Sequence, residues 1–115
     1  MGSVVITGVS GGMGSATAAL FVKKGYDVWG LDVKEPEHAG KMRFIRCDLM
    51  SLDSVTKACS VILKETGTVE AVIHMAGIYD LDSLIEMDEE SFRRIFEINL
   101  FGVYRLNKTI LPLLK

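Results

Sequence analysis

A chain of 115 residues has room for one domain of ordinary size and not for two. Thirteen Lys and Arg against fifteen Asp and Glu leave a formal charge of −2, and 49% of the residues are hydrophobic; that balance argues against a nucleic-acid binder held by phosphate neutralisation, and against disorder. The mean hydropathy of +0.28 is high, yet no apolar run approaches the roughly 20 residues of a membrane span, so a parallel sheet covered on both faces fits better.

Ser3–Thr7 is a β-branched run ending in glycines, as a buried strand feeding a tight turn would be. From Met13 small and apolar residues recur at helical spacing until Gly25, which predicts the first helix. Residues 26–33 read as a second strand and 43–47 as a third. Their connection is too short for a full crossover helix, which limits any helix there to one turn. Ser51 or Asp53 can cap a helix to about Glu65, closed by Gly67, and residues 69–75 form a fourth strand. Asp88 is a good N-cap, and the pattern from there stays helical to Lys115 as one long helix. Its apolar residues, Phe92, Phe96, Leu100, Phe101, Leu106 and Ile110 among them, cover more than one face. More than the sheet must therefore bury it, which predicts a homo-oligomer contact or further chain over this helix. The alternation defines an α/β fold, a doubly wound parallel sheet with the third strand outermost.

Cys47 and Cys59 are too few for a disulfide scaffold and show no metal-ligand spacing. They read as reduced thiols of a cytoplasmic protein without a metal site. No signal peptide precedes the first apolar run, and Ile6 stands where a myristoylation signal beginning Met1-Gly2 needs Ser or Thr.

The chemistry begins at Thr7-Gly8-Val9-Ser10-Gly11-Gly12-Met13-Gly14, between a strand and a helix. Gly8 permits the sharp turn, Gly12 removes a Cβ where backbone must approach a pyrophosphate, and Gly14 allows close helix–strand packing. The helix N-terminus then faces the phosphates with free N–H groups and partial positive charge, so no Lys or Arg is required. Asp32 ends the second strand eighteen residues beyond Gly14. A carboxylate there accepts hydrogen bonds from adenosine ribose hydroxyls and repels a 2′-phosphate, which favours NAD over NADP, with Lys34 as the nearby counter-argument.

At these residues the sequence resembles the short-chain dehydrogenase/reductase family, along the whole chain. Thr7 to Gly14 matches both the T-G-x-x-x-G-x-G form of its shorter oxidoreductase branch and the T-G-x-x-G-x-x-G form of its extended, epimerase-like branch. Asp48-Leu49 matches the acidic pair whose Asp the family places near the adenine amine. His74-Met75-Ala76-Gly77 stands where the family has Asn-Asn-Ala-Gly: the departure removes Asn hydrogen bonds that brace the central strands and looks more like the extended branch. Glu97-Ile98-Asn99-Leu100-Phe101-Gly102 and Leu111-Pro112-Leu113 resemble the shorter branch closely, and that branch is favoured. The resemblance implies cofactor contacts at Gly8, Ser10, Gly11, Gly12, Met13, Gly14, Asp32, Asp48, Leu49, Met75, Ala76 and Gly77. It also implies that Asn99, at a local helix distortion, positions a water in a catalytic proton relay. An Asn between Ile98 and Leu100 must in any case find a hydrogen-bond partner, and a purely structural Asn bonded to backbone is the plainer reading.

By the same resemblance the catalytic Ser and Tyr-x-x-x-Lys follow a fifth strand, placed beyond Lys115. The chain then reads as the incomplete N-terminal part of a Rossmann domain, inactive alone, whose parent moves hydride between nicotinamide and an alcohol or carbonyl substrate. The alternatives are a sugar-nucleotide epimerase or dehydratase of the extended branch and a dinucleotide-binding regulatory module without catalysis. Tyr104 and Lys108 have the Tyr-x-x-x-Lys spacing, but on a regular helix Tyr104 points about 140° from Asn99, so it reads as a packed aromatic. His74 reads as a buried strand-end histidine and Cys47 as a packed thiol. Without a fifth strand, residues 69–73 form an exposed edge prone to pairing with another chain.

Overall fold

In the computed structural model, which describes residues 2–79 and 82–114, the alternation predicted from sequence becomes a four-stranded parallel sheet. β1 (Ser3–Thr7), α1 (Gly12–Lys23), β2 (Asp27–Asp32), β3 (Arg43–Arg46), α2 (Leu52–Thr66) and β4 (Ala71–His74) follow in order. The strand order is β3-β2-β1-β4, so β1 is central and β3 lies outermost beside β2. Residues 33–42 join β2 to β3 without a helix, within the limit of one turn that their number sets.

Side chains alternate across the strands and build a core on each face. Val5, Trp29 and Leu31 pack with Val55, Cys59 and Ile62 of α2 and with Leu106 and Ile110 further along. Val4, Ile6 and Val28 pack on the other face with Ala18 of α1, Val9 and Met42. This is the doubly wound arrangement expected of a Rossmann-type fold. Ser51, rather than Asp53, caps α2: its side chain accepts from the Ser54 N–H at 3.2 Å. Gly67 closes that helix at φ +74°, a conformation that favours glycine.

The single long helix expected from Asp88 to the end of the chain is instead four pieces. α3 (Glu89–Phe96) leads into a π-turn over Glu97–Phe101, then α4 (Gly102–Ile110) and a 3-10 turn at Leu111–Leu113. Asp88 does cap α3, and the Ser91 N–H on its Oδ1 at 2.7 Å holds its carboxyl below the usual range. Pro112 lacks an N–H and ends helical pairing; Leu114 is already extended at φ −69°, ψ 137°. Leu114 forms a parallel bridge to Val69, whose N–H donates to the Leu113 carbonyl at 2.8 Å. Parallel pairing beyond β4 therefore begins inside this chain, contrary to the expectation that it would start only after Lys115. The expected edge at 69–73 is correspondingly covered at Val69, which is fully buried. Lys115 itself lies outside the described residues.

α1 sits on the sheet at the distance Gly14 allows. An added Cβ on Gly14 would stand 1.8 Å from the Gly8 carbonyl oxygen, whereas one on Gly12 meets nothing within 4 Å. Gly14→Ala is predicted to lower stability by roughly 3 kcal/mol, the upper end for overpacking, and Gly12→Ala to change it by less than about 0.5 kcal/mol. Urea denaturation of both variants checks this, and equal midpoints would contradict it.

Candidate functional site

β1 delivers the chain to a turn at the carboxyl edge of the sheet. Gly8 adopts φ +73°, and a Cβ there would stand 2.6 Å from the Ala76 nitrogen, so the residue is demanded both by conformation and by contact with the end of β4. The Gly8 N–H donates to the Leu31 carbonyl at 2.9 Å, and the Gly11 N–H returns to the Gly8 carbonyl at 3.1 Å. α1 then starts with extended Gly11 as its N-cap; no side chain among the described residues caps it, and its first turn carries no acid. The N–H groups of Gly12, Met13 and Gly14 have no partner within the helix, and the positive end of its dipole is unneutralised. Such a terminus accepts an anion, and the space above Gly12 is open.

Asp32 ties this loop to the end of β2. Its Oδ2 accepts from the Ser10 N–H at 3.0 Å, and its Oδ1 accepts from the N–H groups of Val33 at 2.7 Å and Lys34 at 3.3 Å. The Ser10 hydroxyl donates to the Lys34 carbonyl and the Arg46 guanidinium to the Val33 carbonyl. Of about four acceptor directions on a carboxylate, three are used, and the remaining one belongs to Oδ2.

A cavity of about 350 Å³ opens along the carboxyl ends of the strands, within the size range of small-molecule sites. It brings together eight of the twelve residues at which the resemblance implies cofactor contacts, Gly8, Gly11, Asp32, Asp48, Leu49, Met75, Ala76 and Gly77, and Cys47 beside them. Ser10, Gly12, Met13, Gly14 and Asn99 are not on its wall. Gly12 and Met13 are exposed on the first turn of α1, and Gly14 is buried beneath Gly8. Arg94 and Ile98 also line the cavity, as do Val33, Met50 and Ile78. Arg94 and Ile98 stand four residues apart and share a helix face, a signal the sequence carried without saying which face meets the sheet.

The far wall is braced by groups outside the cavity. Thr7 is buried, and its Oγ1 accepts from the N–H groups of both Met75 and Ala76 at 3.1 Å. A buried hydroxyl ahead of the glycine turn was the available sign of this role. Asn99, in the π-turn, grips the backbone of Ile78 at two points: Oδ1 accepts from its N–H at 2.8 Å and Nδ2 donates to its carbonyl at 2.7 Å. A Cβ on Gly77 would stand 3.3 Å from Asn99 Oδ1, a tight contact. His74 is half-buried rather than buried, with Nε2 at 2.8 Å from Asn107 Oδ1 and a buried Nδ1 that has no hydrogen-bond partner among the described residues.

Tyr104 is 58% exposed and lies off the cavity wall. Its hydroxyl accepts from Lys108 at 3.4 Å. The π-turn breaks the regular helix from which the 140° separation was expected, yet the two side chains still serve different surroundings. Burial pushes the Cys47 thiol up, with Asp48 adding to and Ser54 opposing the shift, and burial pushes Cys59 up to about 11. Both thiols are protonated at neutral pH and neither is an activated nucleophile.

The molecule is thus a Rossmann-type α/β unit with a glycine turn, an uncapped helix and a braced carboxylate at one edge of the sheet. The family model described as short chain dehydrogenase matches residues 3–115, and the chain belongs to that short-chain dehydrogenase/reductase family of oxidoreductases, whose members generally bind NAD(P). It is 32% identical over 112 residues to a 3-ketodihydrosphingosine reductase of Bacteroides thetaiotaomicron, covering 97% of this chain and 42% of that protein. It is 33% identical over 120 residues to an L-fucose dehydrogenase of Oryctolagus cuniculus, with the same two coverages of 97% and 42%. The ligand-free aldohexose dehydrogenase of Thermoplasma acidophilum superposes with a TM-score of 0.91 at 34% identity, covering 96% of this chain and 43% of that one. The chain therefore spans less than half the length of these relatives.

Thr7→Val keeps the shape of residue 7 but deprives two amide hydrogens of their acceptor, and is predicted to cost about 1–3 kcal/mol. Thr7→Ser keeps the oxygen and should lie closer to wild type. Thermal or urea denaturation compares them; Val and Ser variants of equal stability would contradict the role of Oγ1.

Proposed function

We propose that this chain is the dinucleotide-binding part of an NAD(H)-dependent short-chain oxidoreductase acting on an alcohol or carbonyl substrate. The observation that carries the reading is the uncapped N-terminus of α1, with open space at Gly12, beside the carboxylate of Asp32. In this reading the N–H groups of Gly12, Met13 and Gly14 hold the diphosphate, with Gly8, Ser10 and Gly11 shaping the loop. The free acceptor direction of Asp32 Oδ2 takes a ribose hydroxyl, Asp48 and Leu49 flank the adenine, and Met75, Ala76 and Gly77 line the path towards the nicotinamide. When bound, the nicotinamide supplies hydride transfer. The fit is chemical: peptide donors for an anion, a carboxylate acceptor for a diol, and an apolar wall for a base.

NAD is favoured over NADP because a 2′-phosphate would meet the Asp32 charge while the Arg46 guanidinium is engaged on the Val33 carbonyl. Asn99 spends one acceptor direction of Oδ1 and one N–H of Nδ2 on the Ile78 backbone, which leaves one of each for a water of the proton relay. The proton-transferring Tyr and Lys belong, in this reading, to chain beyond residue 115, so turnover is not expected of these residues alone. The dehydrogenase and reductase names of the relatives favour the oxidoreductase branch over the sugar-nucleotide branch that His74 resembles.

The test is a fluorescence titration with NADH. Wild type is predicted to bind NADH more tightly than NADPH. Gly12→Val, which fills the open space without touching the core, should abolish binding at unchanged thermal stability, and Asp32→Ala should weaken it by at least about tenfold. Equal affinity of Gly12→Val and wild type would overturn the assignment.

The exposed Phe92, Phe96, Leu100 and Phe101 support a second copy of the chain on the α3 and π-turn face. Sedimentation velocity is predicted to show concentration-dependent self-association that weakens in Phe96→Glu. A stable monomer throughout the micromolar range would contradict it.

A further inference from the structure

One guanidinium joins the cavity wall to the π-turn without lining the cavity itself. Arg105 of α4 donates from Nη1 to the Leu49 carbonyl at 3.0 Å and from Nη2 to the Glu97 carboxylate at 2.7 Å; Nη1 also reaches the Glu97 carbonyl at 3.5 Å. The ion pair is sheltered, with side-chain exposures of 21% for Arg105 and 38% for Glu97. Leu49 is buried and forms part of the cavity wall. Glu97 opens the π-turn whose third residue is Asn99. Directly beside this contact α4 touches the wall: a Cβ on Gly102 would stand 2.9 Å from Leu49 Cβ. The π-turn and the wall are therefore held by backbone approach at Gly102 and by a forked, charge-assisted clamp at Arg105.

A π-turn is an energetically marginal insertion in a helix and persists where other contacts fix it. Here the Gly102 N–H has passed to the Glu97 carbonyl in the wider register. A planar guanidinium can serve the Leu49 carbonyl and the Glu97 carboxylate together; a lysine ammonium lacks that fork.

We propose that Arg105 is a positioning residue that couples the Asp48–Leu49 wall to Asn99, so that a dinucleotide seated on the wall tightens the grip of Asn99 on Ile78. The coupling to dinucleotide rests on the function proposed above, whereas the positioning of Asn99 by Arg105 in the free chain does not.

Amide hydrogen exchange by NMR separates the two. The reporter is the Ile78 N–H, which donates to Asn99 Oδ1, referenced to the Val5 and Ile6 amides in the sheet. In the unliganded chain Arg105→Met is expected to speed Ile78 exchange by about tenfold relative to the sheet amides, Arg105→Lys by a smaller factor, and Glu97→Gln, which keeps an acceptor oxygen, by less than about threefold. If Val5, Ile6 and Ile78 accelerate together, or if Ile78 does not change in either Arg105 variant, the positioning role is overturned. Saturating NADH should slow Ile78 exchange in wild type and leave it unchanged in Arg105→Lys that binds NADH. An equal slowing in both overturns the coupling. A wild-type chain that binds no NADH refutes the cofactor reading and with it the coupling, while the unliganded comparison still decides whether Arg105 positions Asn99.

Discussion

The close approach of α1 to β1 is the constraint from which the rest of the site follows. The Gly14 backbone lies under the Gly8 carbonyl at a distance no side chain tolerates, and Gly8 in turn lies against the backbone at Met75 and Ala76. This double contact aims the start of α1 at the carboxyl edge of the sheet and leaves its first N–H groups without side-chain caps. A helix that began one turn later, or stood off the sheet by a methyl group, would present its dipole to solvent and not to the crevice. In the proposed reading binding capacity is a consequence of packing: Gly8 and Gly14, which enforce it, lie against backbone, while a Cβ on Gly12 would meet open space.

Three braces converge on that crevice, two from strands and one from the π-turn. Asp32 draws the Ser10 N–H to the end of β2, Thr7 holds the Met75 and Ala76 amides at the end of β4, and Asn99 fixes Ile78 just beyond. Each replaces water on backbone groups that strand pairing has left over. These groups are satisfied within the protein, which lowers the ordering cost of binding. Arg105 extends the same logic into the helical layer, since its fork spans the wall and the π-turn.

Much of this was legible in residue order alone. The outermost place of the third strand, the shortness of the link from β2 to β3, the turn at Gly8, the close packing at Gly14 and the place of Asp32 followed from periodicity, turn chemistry and crossover handedness. Periodicity left no trace of the π-turn, because Glu97-Ile98-Asn99-Leu100-Phe101 continues an apolar pattern that reads as ordinary helix; a distortion at Asn99 was implied by the family resemblance alone, and the π-turn over Glu97–Phe101 meets it. The early end of α4 did have a signal in Pro112, outweighed there by the leucines around it. Pairing of Leu114 with Val69 depends on a contact between residues far apart in sequence, as does the partner of His74. Arg94 and Ile98 were visible as a helix face but not as a face turned to the crevice.

The central claim, that peptide N–H groups at the start of α1 hold a diphosphate, is tested most directly by 15N-edited NMR of the chain titrated with NAD. The account predicts saturable shifts concentrated on the amides of Gly11, Gly12, Met13 and Gly14, followed by those of Ser10 and Val33 at either side of the Asp32 carboxylate. Shifts confined to the separate groove lined by Lys23, His38 and Lys41, with the α1 amides unmoved, would contradict it.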